Sequence, residues 1–256
     1  MYKLHDWIDE SKLTSQGLSE NPNAISYIEK KSLTIAWHVL CENPRAMDLL
    51  EKRKGQIDWY VLSGNPAAMD ILQENKDKIN WYKLSENPAA IELLKSNLHR
   101  VSWAALSKNP AAIPLLKKNF GLIKWTRLSE NPAAMELLEQ YPERIDWVKL
   151  SSNPSAIKML EANPHNIVWQ WLSINPAAIH LLEKNVKKIH WGMLSLNPAA
   201  IHLLQENQEK IDWNWLSVNP AIFTYDYKNM VRLFTEELMQ NRFHPKNLEK
   251  FELWGF

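Results

Sequence analysis

A tryptophan returns every 22 residues along this chain, at Trp37, Trp59, Trp81, Trp103, Trp125, Trp147, Trp169, Trp191 and Trp213. The pair Asn-Pro keeps the same interval from Asn21-Pro22 to Asn219-Pro220, which makes ten units if Ser15 stands in for the first Trp. A fixed period of roughly 20–50 residues belongs to stacked repeats, in which each unit buries its apolar face only against its neighbours. The unit reads W-x-x-L-S-x-N-P-A-A-I-x-L-L-x-x-N-x-x-x-I-x and occupies most of the 256 residues, so one elongated domain is expected in place of two ordinary ones.

Local chemistry predicts two helices per unit. Asn87 is a good N-cap, and Pro88 lacks only the N–H that would be orphaned at the first helical position. Ala90, Ile91, Leu93 and Leu94 follow at helical spacing, and Asn97 suits a left-handed C-cap, giving a helix of about nine residues. Trp103 and Leu106, three apart after Ser102, predict a second helix of one to two turns, with 3-10 geometry open. Helices below roughly 12–15 residues are marginal alone, so stacking must hold them. Identical units place Trp on Trp, and the nine tryptophans are expected to form the buried spine. Layers about 8–10 Å apart predict a rod of roughly 80–95 Å.

The fold class is therefore an all-α solenoid of about ten 22-residue two-helix repeats, at 15–224, between two caps. The N-terminal cap, 1–14, is expected as a short amphipathic helix carrying Leu4, Trp7 and Ile8. The C-terminal cap, 225–256, is expected as longer helices holding Met230, Leu233, Phe234, Leu238 and Met239.

Composition narrows the function classes. Forty-five per cent apolar residues exclude general disorder, and 30 Lys plus Arg against 29 Asp plus Glu leave no global field for nucleic acid or an anionic membrane. One cysteine forbids an internal disulfide. The start, Met1 to Trp7, has no apolar signal core, and no stretch approaches the ~18 apolar residues of a membrane span, so an intracellular setting without membrane contact is expected.

The repeat, with the opening Asp6-Trp7-Ile8-Asp9 and the closing Asn241-Arg242-Phe243-His244-Pro245-Lys246-Asn247-Leu248 and Phe251-Glu252-Leu253-Trp254-Gly255-Phe256, resembles a family of uncharacterised repeat proteins of giant DNA viruses. The repeat also looks like leucine-rich-variant repeats, which alternate α and 3-10 helices. The viral resemblance implies a host-cell setting, in the cytoplasm or virus factory, an interaction role and no catalytic site. The second resemblance raises an iron–sulfur cluster, but that needs several cysteines and only Cys41 is present. No cofactor is expected.

A search for chemistry finds no assembled site. Ser19, Ser63, Ser85, Ser107, Ser129, Ser151, Ser173, Ser195 and Ser217 share one repeated environment, which suits hydrogen bonding to the Asn-Pro turn better than nucleophilic catalysis. Cys41 occupies the same slot with His38 three residues earlier, but no third group orients the pair. His180, His190 and His202 are the densest candidate metal ligands. Equivalent atoms one layer apart cannot share a zinc ion, so no metal is expected. His244 and Glu249 near the C-terminus have no constellation around them, and the chain is read as a non-enzyme.

Two surface features remain. Lys78, Arg100, Arg144, Lys188 and Lys210 each stand three places before a Trp slot and form a candidate basic ladder for nucleic acid. Gln56, Leu122 and Asn166 interrupt it, which makes nucleic acid the runner-up. The sharper feature flanks Leu-Ser in the last three units. Trp171 with Ile174, Met193 with Leu196, and Trp215 with Val218 lie three apart, hence on one helix face, and align into an apolar stripe of partner-binding composition. A protein partner is the favoured occupant. Burial by the C-terminal cap and homodimerisation are the other uses of the stripe.

Overall fold

Each Asn-Pro joins two helices by a single side chain. In the computed structural model, which describes residues 2–242, Ser102 caps the helix Trp103–Lys108 by accepting from the Ala105 amide. Asn109 then ends that helix with an extended backbone (φ −74°, ψ 117°), and its Oδ1 accepts from the Ala111 amide at 3.0 Å. Pro110–Ala112 forms a 3-10 turn that runs into the α-helix Ile113–Lys118, together the long helix expected from sequence. The Trp helix is α, and the 3-10 geometry falls instead on Pro110–Ala112 and on a third turn, Phe120–Leu122, that the sequence pattern did not reveal. Asn97, predicted left-handed, has φ −136° and satisfies the helix end by donating from Nδ2 to the Leu93 carbonyl. Among the described residues only Ser32 has a positive φ outside glycine.

The same asparagine ties one unit to the one before it. Asn109 Nδ2 donates to the carbonyls of Ser85 and Asn87 at 3.1 and 2.9 Å, and Asn131, Asn153, Asn175, Asn197 and Asn219 repeat the pair of bonds, each with the unit before its own. The first unit does not stop the series. Asn21 Nδ2 donates to Ser217 O and Asn219 O, at 3.1 and 2.9 Å, so the last unit precedes the first and the solenoid closes into a ring. A second ladder closes with it. Each Ser hydroxyl donates to the carbonyl four residues back, as Ser129 does to Trp125, and accepts from the amide just before the next Trp, as Ser129 does from Asp146. At the seam Ser217 Oγ accepts from the Thr14 amide at 3.0 Å. The serines therefore join units, where the sequence suggested they brace the Asn-Pro turn.

Closure replaces the predicted rod and gives its ends a different role. The N-terminal segment is a strand, β1 (Tyr2–Leu4), followed by the 3-10 turn Glu10–Lys12, where a short helix was expected. β1 pairs antiparallel with β2 (Phe223–Tyr225), with Tyr2 opposite Tyr225 and Leu4 opposite Phe223, and His5 N donates to Ile222 O. The segments that flank the repeats thus clasp one another instead of capping opposite ends. Beyond β2 the helix Tyr227–Glu237 carries no buried residue, and Val231 and Phe234 are 64% and 63% exposed.

The short Trp helices of successive units pack directly on one another, including Ser15–Glu20 against Trp213–Val218 across the seam, while the longer helices fan apart. In a closed ring the more closely spaced layer lies at the smaller radius, so the short helices form the inner wall. A side chain confirms the crowding there: Lys83 Nζ reaches past a whole unit to Glu42 Oε1 at 3.4 Å.

The core lies between the two layers and is aliphatic. Leu40, Leu62, Leu84, Leu106, Leu128, Leu150, Leu172, Leu194 and Leu216 are fully buried, as are Leu50, Leu72, Leu94 and their equivalents and the second alanine of each Asn-Pro-Ala-Ala. The tryptophans are only partly buried and pack against this core from its margin, so the spine predicted from them belongs to leucine.

One expectation tests the asparagine ladder and one the seam. Asn109→Asp puts a buried acceptor against two carbonyls and should cost at least ~3 kcal/mol, read as a lowered denaturant midpoint. A Cβ on Gly17 would stand 2.5 Å from Ser217 Cβ and 3.1 Å from Asn214 O, whereas one on Gly64 meets nothing nearer than 3.5 Å. Gly17→Ala should therefore destabilise by about 1–3 kcal/mol in thermal melts, and Gly64→Ala should be neutral or stabilise by up to ~1 kcal/mol.

Candidate functional site: the inner wall of the ring

The two surface features of the sequence part company in the structure. The basic ladder stacks on tryptophan. Lys78 lies 4.5 Å from the Trp59 ring centre, Arg100 4.6 Å from Trp81, Arg144 5.0 Å from Trp125, Lys188 4.5 Å from Trp169 and Lys210 4.5 Å from Trp191. Each cation covers the Trp that opens its own unit, 19 residues earlier, which explains how a partly exposed indole is held. Lys12 does the same for Trp213 at 4.9 Å, across the seam. Lys12 keeps the ladder register three places before Ser15, and sequence reasoning missed it because the indole it covers, Trp213, comes beside it only when the ring closes. These heads face rings on the wall of the solenoid, which leaves them less free to follow a phosphate backbone.

The stripe goes to the inner wall. In each Trp helix the Leu of the fourth place and the Ser or Cys of the fifth enter the core, and the second, third and sixth places are exposed or half-buried except at Gly17 and Ala105. Ten helices at about 8–10 Å spacing give a circle roughly 25–32 Å across through their axes. After side chains this leaves room on the order of one helix of ~10–12 Å.

One arc of this wall is charged. Lys83 pairs with Glu42 and lies 5.7 Å from the Tyr60 ring. Glu130, with a side chain only 13% exposed, gathers Lys149, Lys108 and Arg127 at 2.9, 3.6 and 3.7 Å. The other arc is apolar: Trp171, Ile174, Met193, Leu196, Trp215 and Val218 stand in three consecutive units, five of them partly buried and Trp215 46% exposed. Lys149 marks the boundary, its Nζ 4.7 Å over Trp171. Among the described residues nothing covers the stripe, and the exposed helix Tyr227–Glu237 does not fold back on it.

Glu20 joins the arcs at the seam. Burial and the neighbouring Glu42 push its carboxyl above the usual carboxylate range. The unfolded chain therefore gives up this proton at a lower pH than the folded ring does.

The remaining candidates sit apart. Cys41 is buried, accepts from the Asp58 amide at 3.4 Å, and burial pushes its thiol up, while His38 three residues earlier is exposed. His180 and His202 each meet a glutamate of the preceding unit, Glu161 and Glu183, at 2.9 Å, and His190 Nδ1 caps its helix by accepting from Met193 N. Among the described residues no group of three or more His, Cys, Asp or Glu could hold a metal ion. A cavity of about 540 Å³ beside the β1–β2 clasp is lined by Tyr2, Leu4, Ile8, Tyr27, Lys30 and Asp226 among others. Within it burial and a bond to Glu10 push the Tyr27 hydroxyl up to about 12. His244 and Glu249 lie outside the described residues.

Compared with protein-family models, curated proteins and solved structures, the chain matches none. Among the described residues no helix is long and apolar enough to cross a membrane.

Two outcomes follow. Replacing Lys78, Arg100, Arg144, Lys188 and Lys210 by glutamine should lower the melting temperature, at about 0.5–1 kcal/mol per exposed cation–aromatic pair. Glu20→Gln should stabilise the ring at neutral pH. That gain should shrink as pH falls below the raised Glu20 pKa and vanish below the carboxyl's unfolded value, as followed by denaturation at several pH values.

Proposed function

We propose that this chain is a non-enzymatic repeat scaffold that binds a polypeptide on the inner wall of its ring, with Trp171, Ile174, Met193, Leu196, Trp215 and Val218 as the apolar contact. The observation that carries the reading is the division of one closed wall into an apolar arc and a charged arc. A segment lying in the ring would meet both at once, and an amphipathic helix has that pair of faces. Aromatic and Met side chains in a concave setting are the composition of binding hot spots. An inner-wall stripe also suits a threaded segment better than a second ring, whose own wall would have to enter the opening. The resemblance to repeat proteins of giant DNA viruses supports a role in an infected host cell, in the cytoplasm or virus factory.

Selection of random displayed peptides on the immobilised protein tests the reading. Amphipathic sequences should be enriched, bind with little dependence on salt, and bind at least tenfold more weakly to folded Trp171→Asp/Trp215→Asp, an apolar hot-spot loss of about 1.4 kcal/mol or more. Peptides indifferent to that double variant would overturn the stripe as the contact. Affinity for DNA or RNA that falls steeply with salt and is lost in the five-glutamine ladder variant would transfer the function to nucleic acid.

A further inference from the structure

The inner wall builds one combination twice: a glutamate, a cation and an aromatic ring. Lys83 Nζ lies 3.4 Å from Glu42 Oε1 and 5.7 Å from the Tyr60 ring centre. Lys149 Nζ lies 2.9 Å from Glu130 Oε1 and 4.7 Å from the Trp171 ring centre. In each case the lysine comes from the third place of its helix, and the chain supplies its own cation to a carboxylate that the wall partly desolvates.

At the seam the glutamate and the ring stand together without the lysine. Glu20 and Trp215 line a hollow of about 230 Å³ with Gln16, Gly17 and Val218. The third place here is Gly17, and Met193 holds it in the unit before Trp215, so neither neighbour can reach in with a charge. Gly17 also lets the two seam helices approach closely beside the hollow, since a Cβ there would run into Ser217. The groups acting on Glu20 are burial and Glu42, with no cation among them. Trp215, 46% exposed, has no lysine or arginine over its face among the described residues, in contrast to Trp171.

We propose that the hollow between Trp215 and Glu20 receives one lysine or arginine side chain of the polypeptide bound in the ring. The cationic head meets the Glu20 carboxylate and the indole face, and the aliphatic stem lies along Val218. The partner thereby completes the combination that Lys83 and Lys149 complete in cis. A single carboxylate and an indole do not offer the several oxygen ligands of a hard metal ion, whereas they match an ammonium or guanidinium group. The source of the cation rests on the polypeptide-binding reading; the chemistry of the hollow does not.

The test uses the whole chain and two probes, butylammonium and butylguanidinium chloride, with butanol as the neutral control. The indole N–H signal of Trp215, assigned by its loss in Trp215→Phe, should shift saturably with both cations and not with butanol. In Glu20→Gln, shown to be folded by an unchanged or raised melting temperature, the response should disappear. An equal response to butanol, or a Glu20→Gln protein that behaves as wild type, overturns the proposal. In a second arm each lysine or arginine of a ring-selected peptide is replaced by norleucine. One replacement should weaken binding to the wild type about tenfold and leave binding to Glu20→Gln nearly unchanged. If peptides bind and depend on Trp171 and Trp215 but no replacement distinguishes the two proteins, the hollow falls and the scaffold reading stands. If the small cations bind and no peptide does, the hollow stands and the polypeptide reading falls.

Discussion

The fold depends on a buried asparagine that is fully used. In Asn153 the side-chain oxygen accepts from the Ser155 amide, starting a helix, and the nitrogen donates to two carbonyls of the neighbouring unit. A buried amide left unpaired costs about 1–3 kcal/mol per group, so this geometry is demanded wherever the residue is placed in the core. It also leaves a requirement. Every unit offers the next asparagine two carbonyls, that of its Ser and that of its Asn, the latter also accepting from the amide three residues on. An open solenoid would leave one end with unmet acceptors and the other with an unmet donor. Closing the circle removes both, and Asn21 meets Ser217 and Asn219 with the distances found elsewhere.

Curvature makes that closure geometrically available. Ten units close a circle if each turns the stack by roughly 36°. The turn follows from unequal layers: the short helices meet through their Leu and bridging Ser on the inside, while Ile, Leu and Met fill the longer helices outside. Where the first and last units meet, the approach is tighter still, and Gly17 stands where other units carry Val39, Lys83 or Arg127. The clasp of β1 and β2, with Tyr2 stacked 4.9 Å from Tyr225, adds a contact that no other pair of units has.

The 22-residue period, the Asn-Pro helix start and the pairing of residues three apart on one helix face were all legible, because each is local and repeated. Closure was not, since it depends on a small rotation per unit that no single unit reveals. Two residues carried a trace of it: Lys12 and Thr14 fall on the ladder and pre-Trp positions when the register is continued from the last unit into the first. The tryptophans were misread for a different reason. Their size argues for the core, but the circular stack has its tightest interior where Leu and Ala fit, and the indoles are held at the margin. The lysine or arginine that arrives 19 residues after Trp59, Trp81, Trp125, Trp169 and Trp191 was the sequence signal for that arrangement. The stripe residues lie in three consecutive units at the third and sixth places of their helices, which the repeat register alone discloses, and the side of the wall they occupy had to come from the structure.

A ring also changes what a stack of repeats can do when it is loaded. In an open solenoid the end units fray, since each has one neighbour and local opening costs one interface. Here every unit has two, so releasing any one unit breaks two asparagine ladders and two serine bridges. Opening the ring at a single interface frees no unit and gains little chain entropy while the other nine contacts hold the circle. The wall therefore presents its apolar and charged arcs at a fixed separation, and a bound segment need not organise the site it enters. That preorganisation lowers the ordering cost of association. It also restricts access: a chain end can thread the opening directly, whereas an internal loop must fold into it as a hairpin or wait for the seam to part.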